Sequence, residues 1–365
     1  MEKELFTLLR LGLGNTTTEE ENLSDFIVLT ADKWARIGDL ARKQGVLGIM
    51  LDGVDKLEAT RYGLTRDLKA AQKLEWIGEV LQIEQRNRQQ IVVMNDLAGK
   101  WKQQGCRVMV MKGQANGVFY PKSDHRNPGD IDCYLFENYA RGNEIARQEG
   151  ANVDESWYKH SVINYKGETF ENHQYFVHTR DGKRGKELNQ ELVEQLKDKS
   201  EEKRVIPGTV VEMPPVQWTA MFLTYHACAH FISEGLRLKQ ILDWVMFLNV
   251  HQSDVNWGSF YAFCDRNHLR VFADAMNAIA VQYLNVNLNL NDNKILAENP
   301  YTDKILHSAL YDEDYVFNSG KSGWANRLHL VKNMFHYRWK YKEIYQTSVW
   351  KQLWWYASGY LFKTE

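Results

Sequence analysis

The sequence has few of the residues and runs that characterise secreted or membrane-spanning proteins. Its 365 residues include only four cysteines (Cys106, Cys133, Cys228 and Cys264), whose wide spacing argues against a disulfide framework or a zinc site. We predict that they are reduced core residues. No stretch approaches the roughly 18 consecutive apolar residues of a membrane-spanning helix, and the first 15 residues lack the apolar run of a signal peptide.

The chain also lacks an excess of charge of either sign. Its 45 lysines and arginines against 47 aspartates and glutamates give a net charge of −2, which argues against a protein built mainly to hold nucleic acid. The hydrophobic fraction of 44% and the charged fraction of 25% are those of an ordinary globular protein. We therefore predict a cytoplasmic protein whose length allows two domains.

What the sequence does contain is a chemically rich stretch between positions 107 and 136. An apolar run, Val108–Met111, indicates a strand and ends directly in Lys112-Gly113. A short helical stretch and Arg126 then lead to a Pro128-Gly129 turn. Gly113 lets a backbone approach a phosphate closely, and Lys112 and Arg126 supply the positive charge that a triphosphate requires.

Asp130 and Asp132 follow this turn and are the candidate metal ligands. Side chains alternate faces along a strand, so both carboxylates point the same way while Ile131 and Cys133 point into the core. Neighbouring carboxylates raise each other's pKa unless a cation lies between them. The pair suits one or two Mg²⁺ (or Mn²⁺) ions that bring substrate phosphates. The alternative is a solvated acidic pair on an exposed sheet face.

At these residues the sequence resembles the nucleotidyltransferase superfamily, which has the polymerase-beta-like fold. The order Lys112-Gly113, Arg126, Gly129-Asp130-Ile131-Asp132 is similar to that of an uncharacterised bacterial nucleotidyltransferase family. The resemblance implies that Asp130 and Asp132 hold the metal and that Lys112, Gly113 and Arg126 bind the triphosphate. Gln114 stands where the superfamily has Ser or Gly, and we include it among the predicted nucleotide contacts.

A predicted hairpin supplies a third carboxylate. Ser161–Tyr165 and Thr169–His178 are β-rich runs joined by a Lys-Gly-Glu turn. Glu171 and His173 share a face of the second run, and Glu171 could ligate a metal or take the proton of the attacking hydroxyl. The resembling family often carries an acidic residue and a histidine two apart on this strand, and His160 lies near another of its histidine positions. His173 is included in the predicted nucleotide site. One alternative is that Glu171 is an exposed strand residue, and another is that His173 is a hydrogen-bonded partner that only orients Glu171.

The fold class predicted is α+β, with a small mixed sheet flanked by helical regions. We divide the chain into an N-terminal helical region (1–104), a nucleotidyltransferase-like core (105–213) and a C-terminal helical domain (214–365). One N-terminal helix is predicted to begin at Thr30. A longer one should run from Thr65 to Gln104, with a break near Gly78.

The C-terminal region contributes two further sets of residues. A helix from Val216 to about Ser233 places His226 and His230 on one face, which is half of a zinc pattern without a third ligand. One histidine is expected to face the cleft, and His226 is included in the predicted nucleotide site. The segment ending in Asp243-Trp244 resembles the same family, and we expect Arg237 and Asp243 to brace helices against each other.

The tail is basic and aromatic. From Lys321 to Glu365 it has eight Lys or Arg against two Glu, together with five tryptophans (Trp324, Trp339, Trp350, Trp354 and Trp355). Such a stretch can bind a membrane surface or nucleic acid. We favour tryptophans that pack back on the helical domain.

The function predicted is Mg²⁺-dependent transfer of a nucleoside monophosphate from a nucleoside triphosphate to an acceptor. Asp130, Asp132 and Glu171 would be the catalytic carboxylates. The sequence leaves open which nucleotide is used and whether the acceptor is a small molecule, a sugar, a protein or tRNA. One alternative is an inactive module that binds a partner through the tail, which the unusual Gln114 favours. Another is a metal-dependent hydrolase built on His226 and His230.

Overall fold

The computed structural model describes residues 2–60, 62–179, 182–197, 203–233, 235–290, 298–312 and 323–354. It has the predicted α+β architecture, with helices flanking one five-stranded mixed sheet. The N-terminal helices are α1 (Glu2–Leu13), α2 (Ser24–Ile27), α3 (Ala31–Lys43), α4 (Leu47–Glu58) and α5 (Ala70–Gln103).

The sheet region follows α5. Its elements are β1 (Met109–Val110), α6 (Gln114–Gly117), a 3₁₀ turn (Ser123–His125), β2 (Ile131–Tyr134), a second 3₁₀ turn (Phe136–Asn138), α7 (Tyr139–Gln148), β3 (Asn152–Asp154), β4 (His160–Tyr165), β5 (Glu168–His173) and α8 (Lys183–Gln195). The C-terminal elements are α9 (Val216–Ser233), α10 (Leu238–His251), α11 (Trp257–Arg266), α12 (Arg270–Leu284), α13 (Thr302–Tyr311), α14 (Gly323–His336) and a π-helical turn (Lys340–Ile344).

The strand order is β1-β2-β5-β4-β3, and the predicted hairpin is the antiparallel pair β4–β5. β2 pairs with β5 in parallel, and the other neighbouring strands are antiparallel. The parallel register puts Asp132 opposite Glu171. In the hairpin, His160 lies opposite His173. Residues far apart in the sequence are thereby brought to one end of three adjacent strands.

The N-terminal helices differ from the prediction in two places. α3 begins as expected, with the Thr30 side chain accepting a hydrogen bond from the Lys33 amide. However, α5 begins at Ala70 instead of Thr65, and it continues through Gly78 for 34 residues. A glycine inside a helix costs only about 1 kcal/mol, and buried Trp76 and Val80 hold the helix on either side of it.

α4 was not predicted from the sequence. This helix packs on α1 at Gly53, where an added Cβ would collide with the carbonyl oxygen of Leu8. Gly53 makes this close contact between the two helices. The glycines of α4 also weaken the helical signal in the sequence, because glycine has a low helix propensity.

Two hydrophobic clusters form the core. The larger one lies among the helices, and the smaller one packs against the sheet and includes Ile131, Cys133 and Phe170. Ile131 and Cys133 point inward as predicted, which leaves the opposite face of β2 and β5 for polar side chains. All four cysteines are buried and free, as expected. Within the described ranges, no helix is long and apolar enough to cross a membrane.

The described part of the tail contains tryptophans in different surroundings. The ring of Trp339 packs on Phe231, with centroids 5.6 Å apart, whereas Trp350 and Trp354 are 70% and 67% exposed. The Trp324 side chain and Trp355 lie outside the described residues. α8 lies in the charged stretch from Asp181 to Arg204, of which positions 181 and 198–202 also lie outside the described residues.

Candidate active site

Four predicted residues meet at the end of β2 and β5. Oδ1 of Asp132 lies 3.2 Å from Nε2 of His173, and Oε2 of Glu171 lies 3.3 Å from the same nitrogen. The Nζ of Lys112 forms an ion pair with Oδ2 of Asp132. The Asp132 and His173 side chains are almost fully buried, while Glu171 retains 25% exposure. The parallel register of β2 and β5 creates this cluster, because it places Asp132 beside Glu171.

The carboxylates of Asp132 and Glu171 are held in the ionised form. Burial alone would raise the pKa of Asp132, but the charge of Lys112 and the hydrogen bond with His173 hold it well below its usual value. Burial likewise opposes ionisation of Glu171, and contact with His173 outweighs it, so the pKa of Glu171 is lowered. Two negative charges are thus fixed side by side.

Asp130 lies in the field of these charges. Its side chain is more exposed than that of Asp132, and its pKa is raised by partial burial and then by the charges of Glu171 and Asp132. Ionisation of all three carboxylates is therefore unfavourable without a cation. A divalent ion that shares their oxygens would remove this repulsion, so the residues present fit a metal.

Gly113 turns the chain out of β1 beside this cluster. Its φ of 67° lies in a region that L-residues rarely adopt. The carbonyl oxygen of Asp130 lies 3.7 Å from the place that a Cβ would occupy at Gly113. The two predicted halves of the site, the Lys112-Gly113 turn and the Asp130 turn, are therefore adjacent.

Gln114, which follows Gly113, directs its side chain toward α5. Its side chain is buried and donates hydrogen bonds to Asn87 Oδ1 at 2.8 Å and Gln90 Oε1 at 3.0 Å, both on α5. Gln114 thus points toward the helix and fixes the start of α6. A glutamine in the place of Ser or Gly was the feature that favoured the inactive-module alternative. Because the Gln114 side chain is bonded to α5, it leaves free the side of Gly113 that faces Asp130.

Two amides of α5, which the sequence analysis missed, hold the segment before Asp130. Asn87 donates to the carbonyl oxygens of Asp124 and Arg126 at 2.8 and 2.9 Å. Gln90 donates to the carbonyl oxygen of Gly129 at 2.6 Å. The sequence carried one signal for these two residues. Both amides lie among the apolar positions of the predicted helix, where an unpaired amide would cost free energy.

Arg126, predicted to bind a triphosphate, has another partner in this structure. Its Nε and Nη2 lie 2.7 and 2.8 Å from the two oxygens of Asp243, and both side chains are buried. Tyr120 and Asn116 also donate to this carboxylate. The brace expected between Arg237 and Asp243 is therefore made by Arg126, while Arg237 lies exposed at the start of α10. A triphosphate contact of Arg126 stays a prediction.

His226 lies close enough to the cluster to interact electrostatically with Asp132. Its Nε2 is 3.1 Å from Nε2 of His230, and burial, His230 and Lys112 together lower the pKa of His226 well below its usual value. Among the residues that the structure describes, no third histidine, cysteine or carboxylate joins the pair as a metal ligand. The hydrolase alternative thus lacks a ligand set there.

Lys239 is a further cation that the sequence analysis missed. Its Nζ lies 3.5 Å from the place that a Cβ would occupy at Gly129, directly before Asp130. Burial, followed by the charge of Arg126, lowers the pKa of Lys239 to about 8. Burial and the charge of Arg126 outweigh the favourable charge of Asp243, so the arrival of an anion beside Lys239 would be favourable.

The comparison with protein families agrees with this geometry. The model of a family described as uncharacterised nucleotidyltransferase matches residues 30–285, which is more than half of the chain and includes every residue of the cluster. The chain belongs to this nucleotidyltransferase family. The predictions of the family and of the enzyme class are thereby confirmed. No curated protein and no solved structure matches the chain.

Proposed function

We propose that this nucleotidyltransferase uses Mg²⁺, or Mn²⁺ in its place, to transfer a nucleoside monophosphate from a nucleoside triphosphate to a hydroxyl group of an acceptor. The observation that carries the proposal is the convergence of Asp132 and Glu171 beside Lys112, with Asp130 in the field of both carboxylates. Three carboxylates offer the oxygen ligands that Mg²⁺ prefers.

Asp130, Asp132 and Glu171 would hold the metal, which when bound neutralises charge on the phosphates. Of the two cluster carboxylates that contact His173, Glu171 is the more exposed, so it is also our candidate to accept the proton of the attacking hydroxyl. His173 keeps Asp132 and Glu171 in position through its contacts with both. His226 would lie beside the bound nucleotide without ligating metal.

Lys112 and Lys239 would neutralise the triphosphate, and the Gly113 backbone would approach it closely. Gln114 and Arg126 would act indirectly, by holding the segments on either side of the site in place. Gln114 ties the turn after Gly113 to α5, and Arg126 ties the segment before Asp130 to α10. Most of the rate enhancement would come from positioning and charge neutralisation.

Two radioactive labels test the reaction class. The enzyme is incubated with Mg²⁺, an extract that supplies acceptors, and each nucleoside triphosphate labelled at either the α- or the γ-phosphorus. We expect the α-label to appear on an acceptor and the γ-label to leave with pyrophosphate. Asp132→Asn should reduce transfer at least about 100-fold, since removing a group that stabilises transition-state charge costs about 10²–10³ in rate.

Asp67→Asn is the matched control, because Asp67 is a half-exposed carboxylate remote from the cluster in the sequence. It should transfer at the wild-type rate. Transfer of the γ-label would identify a phosphotransferase and contradict the proposal. Transfer of the α-label at an undiminished rate by Asp132→Asn would remove the carboxylate from the mechanism.

A further inference from the structure

A second group of potential ligands lies on the hairpin next to the carboxylates. His160 begins β4 and His173 ends β5, and the two are direct partners in the antiparallel register, with ring centroids 4.9 Å apart. Glu171 lies two residues before His173 and so shares its face. One ligand atom from each of these three residues lies within 4.8 Å of the other two.

The interatomic distances suit donors arranged around one ion. Oε2 of Glu171 lies 3.3 Å from Nε2 of His173 and 3.5 Å from Nδ1 of His160. An ion about 2.1 Å from each of four tetrahedral donors separates those donors by about 3.4 Å. The two separations from Glu171 are close to this value, so an ion held by these three side chains would need little rearrangement of them.

The hydrogen bonding of His173 orients its ring for such a role. Its Nδ1 lies 3.1 Å from the carbonyl oxygen of Tyr175, and a carbonyl can only accept, so Nδ1 carries a hydrogen. Nε2 is left facing the oxygens of Asp132 and Glu171. Histidines that ligate metals commonly donate their other ring nitrogen to a backbone carbonyl in this way.

His160 provides an independent indication. Its Nδ1 is buried and has no hydrogen-bond partner in the structure. A buried nitrogen without a partner costs free energy, and this nitrogen points at the same Glu171 oxygen that His173 contacts. An ion between the two imidazoles would satisfy both nitrogens.

We propose that His160, His173 and Glu171 bind one divalent transition metal ion, with a fourth position left open, and that Zn²⁺ is the ion that fits. Mg²⁺ prefers oxygen ligands, whereas two imidazole nitrogens combined with a carboxylate suit Zn²⁺. The ion would tie β4 to β5, which contribute its ligands. Glu171 also belongs to the Mg²⁺ set proposed above, whereas Asp130 and Asp132 take no part here, and the Zn²⁺ proposal stands whether or not the chain transfers nucleotides.

Calorimetric titration of the chelator-treated full-length protein with Zn²⁺ tests this site. We expect one Zn²⁺ per chain. Loss of a residue that only orients a metal ligand costs about 10–100-fold in metal affinity. His160→Ala removes a ligand itself, so it should weaken Zn²⁺ binding about 100-fold or more. His160→Gln, which keeps most of the side-chain volume, should weaken it similarly if His160→Ala proves unstable.

His307→Ala, at an exposed histidine of α13, is the matched control and should bind Zn²⁺ as the wild type does. Asp130→Asn should retain stoichiometric Zn²⁺, which separates this site from the Mg²⁺ site proposed above. As a second readout, the visible absorption of bound Co²⁺ should report four-coordinate geometry in the wild type and be lost in both His160 variants. Binding without stoichiometry, or binding that both His160 variants retain, would overturn the proposal.

Discussion

Burial and the charge of Arg126 disfavour the protonated form of Lys239, and this gives its removal an unusual expected effect. The folded pKa of Lys239, about 8, lies below its usual value of 10.5, so the unfolded chain binds more protons between these values. The unfavourable contribution is fully present below pH 8 and fades as the pH rises toward 10.5. One pKa unit corresponds to about 1.4 kcal/mol.

We therefore predict that Lys239→Met stabilises the free protein by about 1 kcal/mol or more at pH 7, with the difference shrinking toward pH 10.5. The same change should weaken binding of Mg²⁺–triphosphate about tenfold. Urea unfolding at several pH values and calorimetry measure the two effects. Lys102→Met, at an exposed position of α5, should change neither. A Lys239→Met protein that is less stable at pH 7 would contradict this account.

His125 shows the opposite dependence on pH. Its Nδ1 lies 2.9 Å from Asp52 Oδ2, and its Nε2 lies 3.1 Å from Glu84 Oε1. Burial disfavours the protonated ring, but the hydrogen bond and charge of Asp52 outweigh burial and raise the pKa of His125. A raised folded pKa means that the charged ring stabilises the protein fully below the unfolded pKa of about 6.5 and loses this effect as the pH rises through the folded value.

The prediction is that His125→Asn destabilises the protein most below about pH 6.5 and progressively less above it. Urea unfolding of both proteins across this range measures the difference. His336→Asn, at an exposed histidine of α14, should show no such trend. A cost that is constant with pH would mean that the ring acts only through packing.

At the scale of elements, α5 supports the active site as well as the core. Asn87, Gln90 and Gln114 form a buried amide network that reaches the carbonyl oxygens of the segment leading to Asp130. Gln90 also donates to Glu168 at the start of β5, at 3.0 Å. One helix thus positions the two turns that border the carboxylates.

We predict that Gln90→Leu costs about 1–3 kcal/mol of stability, since it leaves buried acceptors unsatisfied. It should also weaken nucleotide binding, because the turn at Gly129 loses its support. Gln89→Leu changes the neighbouring exposed residue and should have little effect on either property. Equal urea midpoints for the two variants would show that the network does not hold this turn.

Most elements could be predicted from their own residues. The Thr30 cap, the helix from Val216 to Ser233 and the β4–β5 hairpin each carry a local signal, and the structure has all three. The break at Gly78 was wrong because the buried residues around it outweigh one glycine. α4 was missed because the glycines that allow its packing on α1 are read in a sequence as breaks.

At the scale of the whole molecule, the ion pair of Arg126 and Asp243 joins the segment before Asp130 to α10. Removing one partner of a buried ion pair leaves an uncompensated charge, which costs about 3–5 kcal/mol, whereas replacing both by apolar residues costs much less. We predict that Arg126→Met and Asp243→Leu are each strongly destabilising. The double variant should lose clearly less stability than the sum, as a double-mutant cycle by urea unfolding would measure. Additive losses would mean that the two residues act independently.

The same ion pair marks the limit of what the sequence could predict about the site. Lys112, Asp130 and Asp132 lie within one short stretch, and Glu171 and His173 share a strand, so local pattern was enough to select them. The partner of Arg126 is 117 residues away, and Lys239 approaches Gly129 from a different helix. Only the packing of α10 against the sheet region brings these residues together, and periodicity within one segment carries no information about such contacts.

The central claim, that the carboxylate cluster binds a nucleoside triphosphate through a divalent metal, is tested most directly by thermal unfolding. The wild type, Asp130→Asn and the control Asp67→Asn are each heated with each nucleoside triphosphate, with and without Mg²⁺. A ligand present at about 100 times its dissociation constant adds roughly 2.7 kcal/mol of stability. We predict that the melting temperature rises for at least one nucleotide only when Mg²⁺ is present, in the wild type and Asp67→Asn but not in Asp130→Asn. No rise with any nucleotide, or an equal rise in Asp130→Asn, would contradict the claim.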